Sequence, residues 1–168
     1  PSMASALMPS VTRQLAARQP GIELEITEGL VDELVPALRR GELDLAVGSW
    51  PRVTDAAFAT EVLTSDHILV YARSGHPLQG RRISLEELGG HAWALPPASQ
   101  RWRQQLDELF FGQGLSPPHP AVISNSATYL KALLRSGDYL SFLPRLLVGD
   151  STDLSPLDVD MPVFAADV

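Results

Sequence analysis

The 168-residue chain contains no cysteine. That excludes disulfides, a thiolate zinc site and a cysteine nucleophile, and it leaves the redox compartment undecided. Lysine is nearly absent, with Lys131 alone against twelve arginines. No apolar run approaches the ~20 residues of a membrane span. Positive charge is in deficit, 13 Lys and Arg against 20 Asp and Glu, and the resulting −7 disfavours a nucleic-acid-binding surface on this segment. Residues 1–9 lack the charged and apolar regions of a signal peptide. The chain opens on Pro1 without an initiator Met, so it is expected to be a piece of something longer. What remains is 45% apolar and only 20% charged, which excludes a disordered chain and supplies a sizeable core.

Catalytic signatures are missing as well. His67, His76, His91 and His119 show no i, i+2 or i, i+4 pairing, so no metal pair is visible. There is no Gly-x-Ser-x-Gly elbow, no Ser-x-x-Lys, no phosphate loop and no Gly-x-Gly-x-x-Gly, so no cofactor is implied. The acid pair Glu86-Glu87 suits the first turn of a helix. Asp158 and Asp160 read as an exposed strand face. Neither pair has a partner for acid–base work. The chain is read as a non-enzyme.

The periodicities alternate between helix and strand. Residues 4–18 carry Leu7, Met8, Val11 and Leu15 at helical spacing, capped by Ser2 or Ser5 and stopped at Gln19-Pro20-Gly21. Ile22, Leu24 and Ile26 alternate with polar residues, predicting a half-buried strand. Val31 to Leu38 predicts a second helix containing Pro36 and ended by Gly41. Residues 43–48 predict a short buried strand, and a further strand is placed near 58–63. Residues 67–72 are the clearest strand, followed by a turn-rich stretch, 73–82, in which Arg81-Arg82 read as a solvated loop. A second series follows. Ser84 to Glu87 forms a capping box, and residues 92–95 a strand. Residues 101–111 form a helix burying Trp102, Leu106, Leu109 and Phe110, stopped by Gly112 and Gly114. A strand at 121–124 and a Ser126-capped helix to Arg135, ended by Gly137, come next. Residues 139–143 form a strand and Pro144 opens a short helix. Two such series predict an α/β, two-lobed domain with mainly parallel sheets.

Ligands of open α/β sheets sit beyond the strand carboxyl ends, facing helix N-termini. That places a site in loops near Ser2, 28–31, 48–50, 96–101 and 124–128. Ser2, Ser99, Asn125, Ser126 and Thr128 are small polar groups at expected helix starts, where capping alone explains each; as a set on one cleft they suit a carboxylate. Arg101 and Arg103 fall in the first turn of a helix, where cations are disfavoured, so one of them is expected to face the cleft and hold an anion. Trp50 either packs on Pro51 or walls a ligand pocket; both readings stand.

Several segments together resemble the effector-binding domain of LysR-type transcriptional regulators. They are Leu7-Met8-Pro9, Gln19-Pro20-Gly21-Ile22, the run from Arg40 to Gly48, Ile68-Leu69-Val70, Gly75-His76-Pro77-Leu78, Ser84 to Leu88 and Leu143-Pro144, in order across nearly the whole chain. The resemblance implies a type 2 periplasmic-binding-protein-like fold, two Rossmann-like lobes joined by crossover strands. Lobe I would be 1–68 with 147–168, lacking its first strand and its usual ending, and lobe II would be 69–146. It implies an effector in the cleft, contacted by matched positions Ser2, Val31, Ser49, the Pro97 to Arg101 loop, and Ser126 with Ala127. It implies a cytoplasmic protein that assembles as a dimer or tetramer. DNA would be read only by a winged helix-turn-helix that is not in this chain. Ser136 to Ser141 stands where members often carry Gly-x-Gly, which leans toward regulators of sugar or aromatic-acid uptake. The effector is expected to be an organic acid or a sugar, with no metal or cofactor. A solute-binding protein of a transporter with the same fold is the alternative.

Overall fold

The clearest strand of the sequence becomes β1 (Ser65–Arg73), the strand around which the sheet is arranged. In a computed structural model, described for residues 7–48, 57–162 and 164–167, the other elements are as follows. Two helices come first, α1 (Met8–Arg18) and α2 (Val31–Arg39). After β1 come β2 (Arg82–Ile83), α3 (Leu85–Leu88), β3 (Ala92–Leu95) and α4 (Arg101–Gly112). Then β4 (Pro120–Ile123), α5 (Ala127–Ser136), β5 (Tyr139–Pro144) and α6 (Arg145–Val148). The chain ends with β6 (Leu154–Pro156), β7 (Asp158–Val159) and β8 (Phe164–Asp167).

The sheet runs β4-β3-β5-β1-β6, with β8 also paired to β1; β2 and β7 form a separate ribbon. β3 is parallel to β4 and β5, whereas β1 is antiparallel to β5 and β6. The parallel part is thus built of β–α–β crossovers, as the alternation of periods requires. The chain divides into two units, 1–66 with 165–168, and 67–164. Residues 147–164, expected in lobe I, belong to the second unit, where β6 pairs with β1 and β7 with β2.

Every buried apolar side chain among the described residues lies between Ile68 and Leu157. Tyr71, Ala94, Leu130, Leu134, Leu143 and Leu147 pack α5 and α6 onto the sheet. Trp93, fully buried, donates its indole N–H to the Leu88 carbonyl at 2.9 Å, which ties β3 to α3. Two glycines do what their positions demand. Gly41 and Gly114 both take φ of +72°, and the next N–H reaches back five residues, Glu42 to Ala37 and Leu115 to Phe110. That is the left-handed stop that glycine makes cheap.

The structure departs from the sequence reading at several points. Residues 22–27, 43–48 and 58–63 are in no strand. Ile22, Leu24 and Ile26 are exposed, because alternation specifies a face but a strand exists only once another chain segment pairs with it. The N-cap of α1 is Leu7 without a side-chain bond; Ser2 and Ser5 lie outside the described residues. α2 continues past Pro36 for three residues, losing the one bond to the Asp32 carbonyl that Pro cannot donate. Ser84 caps α3, but Glu87 turns to Arg81 rather than closing the box. Arg81 and Arg82 are therefore not free in a loop, since Arg82 pairs with Asp160. Gly137 is extended rather than left-handed. Trp102 is half-buried.

Candidate functional site

β3 and β4 run parallel and finish together, Leu95 opposite Ile123. The Ser124 N–H continues the ladder to the Leu95 carbonyl at 3.1 Å. From this one edge, residues 96–100 lead into α4 and residues 124–126 into α5. The register of two strands therefore brings Pro97, Ser99 and Arg101 to the same sheet edge as Asn125, Ser126 and Thr128.

Each loop is held by its own bonds. Ser126 is the N-cap of α5 and its Oγ accepts the Tyr129 N–H at 3.2 Å. Its own N–H donates to Ser124 Oγ at 3.1 Å. In the other loop the Gln100 N–H closes a turn on the Pro97 carbonyl at 2.9 Å. The Gln104 amide donates to the Ala98 carbonyl at 3.2 Å. Ser99, Arg101, Asn125, Ser126 and Thr128 are exposed and Pro97 is half-buried. Two helices of 12 and 10 residues thus start at one edge, and the positive ends of their dipoles favour an anion there.

The two arginines of α4 separate cleanly. Arg103 is buried, and its Nε donates to both carboxylate oxygens of Asp107, at 2.8 and 3.0 Å. That i, i+4 pair accounts for it structurally. Arg101 stays at the exposed first position of α4. Ser124 opens the expected 124–128 loop but was not singled out within it; its hydroxyl orders the start of α5. Its signal was the Ser-x-Ser spacing ahead of the helix. Ile123 and Tyr129 are exposed large side chains that flank the same loop.

Val31 opens α2 in the first unit, where the preceding Leu30 N–H is taken by the Glu33 carboxylate at 2.9 Å. Ser2, Ser49 and Trp50 lie outside the described residues. The same unit holds a groove of about 540 Å³ between α1 and residues 26–28, lined by Met8, Thr12, Arg13, Ile26 and Glu28 among others. Among the described residues no three His, Asp or Glu side chains gather to hold a metal. No helix among them is long and apolar enough to cross a membrane.

Comparison with known proteins places these features. The family model described as "LysR substrate binding domain" matches residues 1–167. The HTH-type transcriptional regulator GalR of Pseudomonas putida is 30% identical over 138 residues, 82% of this chain and 35% of that protein. The chain therefore spans about a third of the length of this relative. The regulatory domain of CcmR from Synechocystis, solved in complex with 2-PG, superposes with a TM-score of 0.81 at 20% identity, covering 99% of this chain and 84% of that one. The effector-binding domain of QuiR in complex with shikimate gives 0.78 at 16%, covering 99% and 80%.

Proposed function

The chain belongs to the LysR substrate-binding-domain family, and from that premise we propose that the edge formed by residues 96–101 and 124–128 binds one side of a small-molecule effector. Its fold is the type 2 periplasmic-binding-protein-like α/β fold of that family, and it is the effector-binding domain of a LysR-type regulator. The supporting observation is the convergence of two helix N-termini and Arg101 on the register-matched ends of β3 and β4. Arg101 holds an anionic group of the effector, and Ser126 and Thr128 orient it. Val31, together with Ser2, Ser49 and Trp50 outside the described residues, supplies further effector contacts, a reading that rests on matched family positions and on the expected loop placement. An organic acid suits the edge best, with a sugar second.

In the whole protein, occupancy shifts the equilibrium between two lobe arrangements by the effector's differential affinity for them. That shift changes the packing of a cytoplasmic dimer or tetramer whose DNA-reading domains lie elsewhere. Transport is the weaker reading, because the curated relatives that match are transcriptional regulators.

A thermal-shift screen against organic acids, sugars and amino acids tests this. A ligand at 100 times its Kd adds ~2.7 kcal/mol. Ser126→Ala loses ~1 kcal/mol through its cap, so affinity is measured by calorimetry under conditions where the variant is folded. Both Ser126→Ala and Arg101→Gln are expected to weaken an acid hit. Unchanged affinity in both would remove this edge from the site.

A further inference from the structure

At the other end of β1 the chain makes a tight turn, residues 73–80. Gly75 and Gly80 take φ of 75° and 80°. The Gly75 N–H is held by Gln79 Oε1 at 2.6 Å. Ser74 clamps the turn to the segment entering β6. Its N–H donates to the Asp153 carbonyl at 2.8 Å and its hydroxyl to the Thr152 carbonyl at 2.6 Å. Within the turn His76 is 3% exposed. Its Nδ1 accepts the Leu78 N–H at 3.2 Å. An accepting Nδ1 carries no proton, so the neutral ring holds its proton on Nε2. That atom is buried and finds no hydrogen-bond partner among the described residues. His91, just before β3, meets the ring edge-to-face at 6.0 Å.

A second proton must enter at Nδ1, where the Leu78 N–H already points. It would remove the acceptor and set two donors against each other. The new cation would be buried beside Arg73 at the end of β1 and His91 before β3. Among the described residues the opposing charge is Asp138, before β5, and it is already paired with Arg73 at 2.7 Å. Glu87 of α3 is held low first by its hydrogen bond to Arg81 and only last by His91. These groups keep His76 below its ordinary value of 6.5. Burial is the largest cause, His91 and Arg73 add to it, and Asp138 opposes. A metal ion on the two histidines is disfavoured for the same reason: Nδ1 is taken by a donor and Nε2 carries the proton.

We propose that His76 is an acid-operated latch, which on taking up one proton at Nδ1 releases the Leu78 N–H and opens the turn that Ser74 clasps to the β6 segment. The sign follows from linkage. Below about pH 6.5 the unfolded or opened chain binds a proton that the closed turn does not. Closure therefore weakens as pH falls through that value, and the loss levels off once the closed form also titrates.

Proton NMR of the four imidazoles and exchange of the Leu78 amide test this on the chain. His76 is expected to titrate below its ordinary value of 6.5. The exchange of Leu78, corrected for intrinsic pH dependence, should rise about tenfold or more as acid is added. His76→Asn retains an acceptor for Leu78 and cannot titrate, so its corrected exchange should be flat. His91→Gln removes a like charge, so the His76 transition should move to higher pH. Titration of His76 at or above its ordinary value of 6.5 would overturn the latch. So would Leu78 exchange that ignores the His76 titration, or acid opening that persists in His76→Asn. Should that variant fail to fold, the wild-type titration and exchange decide alone.

Discussion

Arg103 and Arg40 each hold a carboxylate, yet their surroundings give the two pairs different weight. Arg103 and Asp107 have side chains 10% and 24% exposed. Removing one partner there leaves a charge in a poorly solvated place. Asp107→Asn is expected to cost about 2 kcal/mol, below the ~3–5 kcal/mol of breaking a fully buried pair because Asp107 is partly wet. Arg40 and Glu42 are both more than half exposed. The pairing raises Arg40 and lowers Glu42, first through their hydrogen bond, but water screens it. Glu42→Gln should leave the urea midpoint unchanged. Paired denaturation curves of the two variants check the contrast. At this scale the sequence was partly legible. It marked an arginine in the first turn of α4 as out of place, but which of the two was free depended on Asp107 lying one turn on. It selected Ser126, whose chemistry as a cap is local. It did not single out Ser124, whose hydroxyl accepts the Ser126 N–H and whose own N–H reaches the Leu95 carbonyl of the neighbouring strand.

Among the elements, those governed by local rules formed where their residues placed them. α4, α5, β3 and β5 follow from apolar spacing plus a stop, and Gly41 and Gly114 act through conformations that few other residues accept. Gly137 shows the limit of that logic. Its backbone is extended, and an added Cβ would lie 3.2 Å from the Tyr139 ring. It is small for reasons of space, not of φ. α5 carries the proposed effector edge at one end and the core along its side. Leu134 is fully buried against the cluster that includes Tyr71, Leu143 and Leu147. Leu134→Ala should cost about 3 kcal/mol, the usual range for a cavity of that size. If the loss in a thermal melt stays within that of a surface change, this packing is wrong.

For the molecule as a whole, the described core and nearly all the ladders belong to the second unit. Hydrogen exchange should show this directly. The amides of Ile68, Val70 and Leu95 sit in paired, buried strands and should be among the slowest. Those of residues 23–27 sit in no ladder and should exchange within the fastest class. Strong protection of residues 23–27 in this chain would show that they are paired after all. The three strands expected at 22–27, 43–48 and 58–63 failed for a common reason. Each has the right side-chain pattern, but a ladder is a property of two segments.

By itself the sequence determined the α/β class, the helices and their stops, the central strand and the family resemblance. All of these rest on short-range spacing or on local conformational rules. It also selected most of the polar loop residues, because helix starts announce themselves through small oxygen-bearing side chains. Only the tertiary structure decided that Leu95 and Ile123 end side by side, which turns two separate loops into one edge. It alone buried Arg103 against Asp107 and left Arg101 exposed. It alone sealed His76 in a turn where its second nitrogen finds no acceptor. The Arg103–Asp107 and His76–Leu78 contacts are local in sequence, but their burial, like the register of β3 and β4, is set by packing between segments that no local pattern encodes.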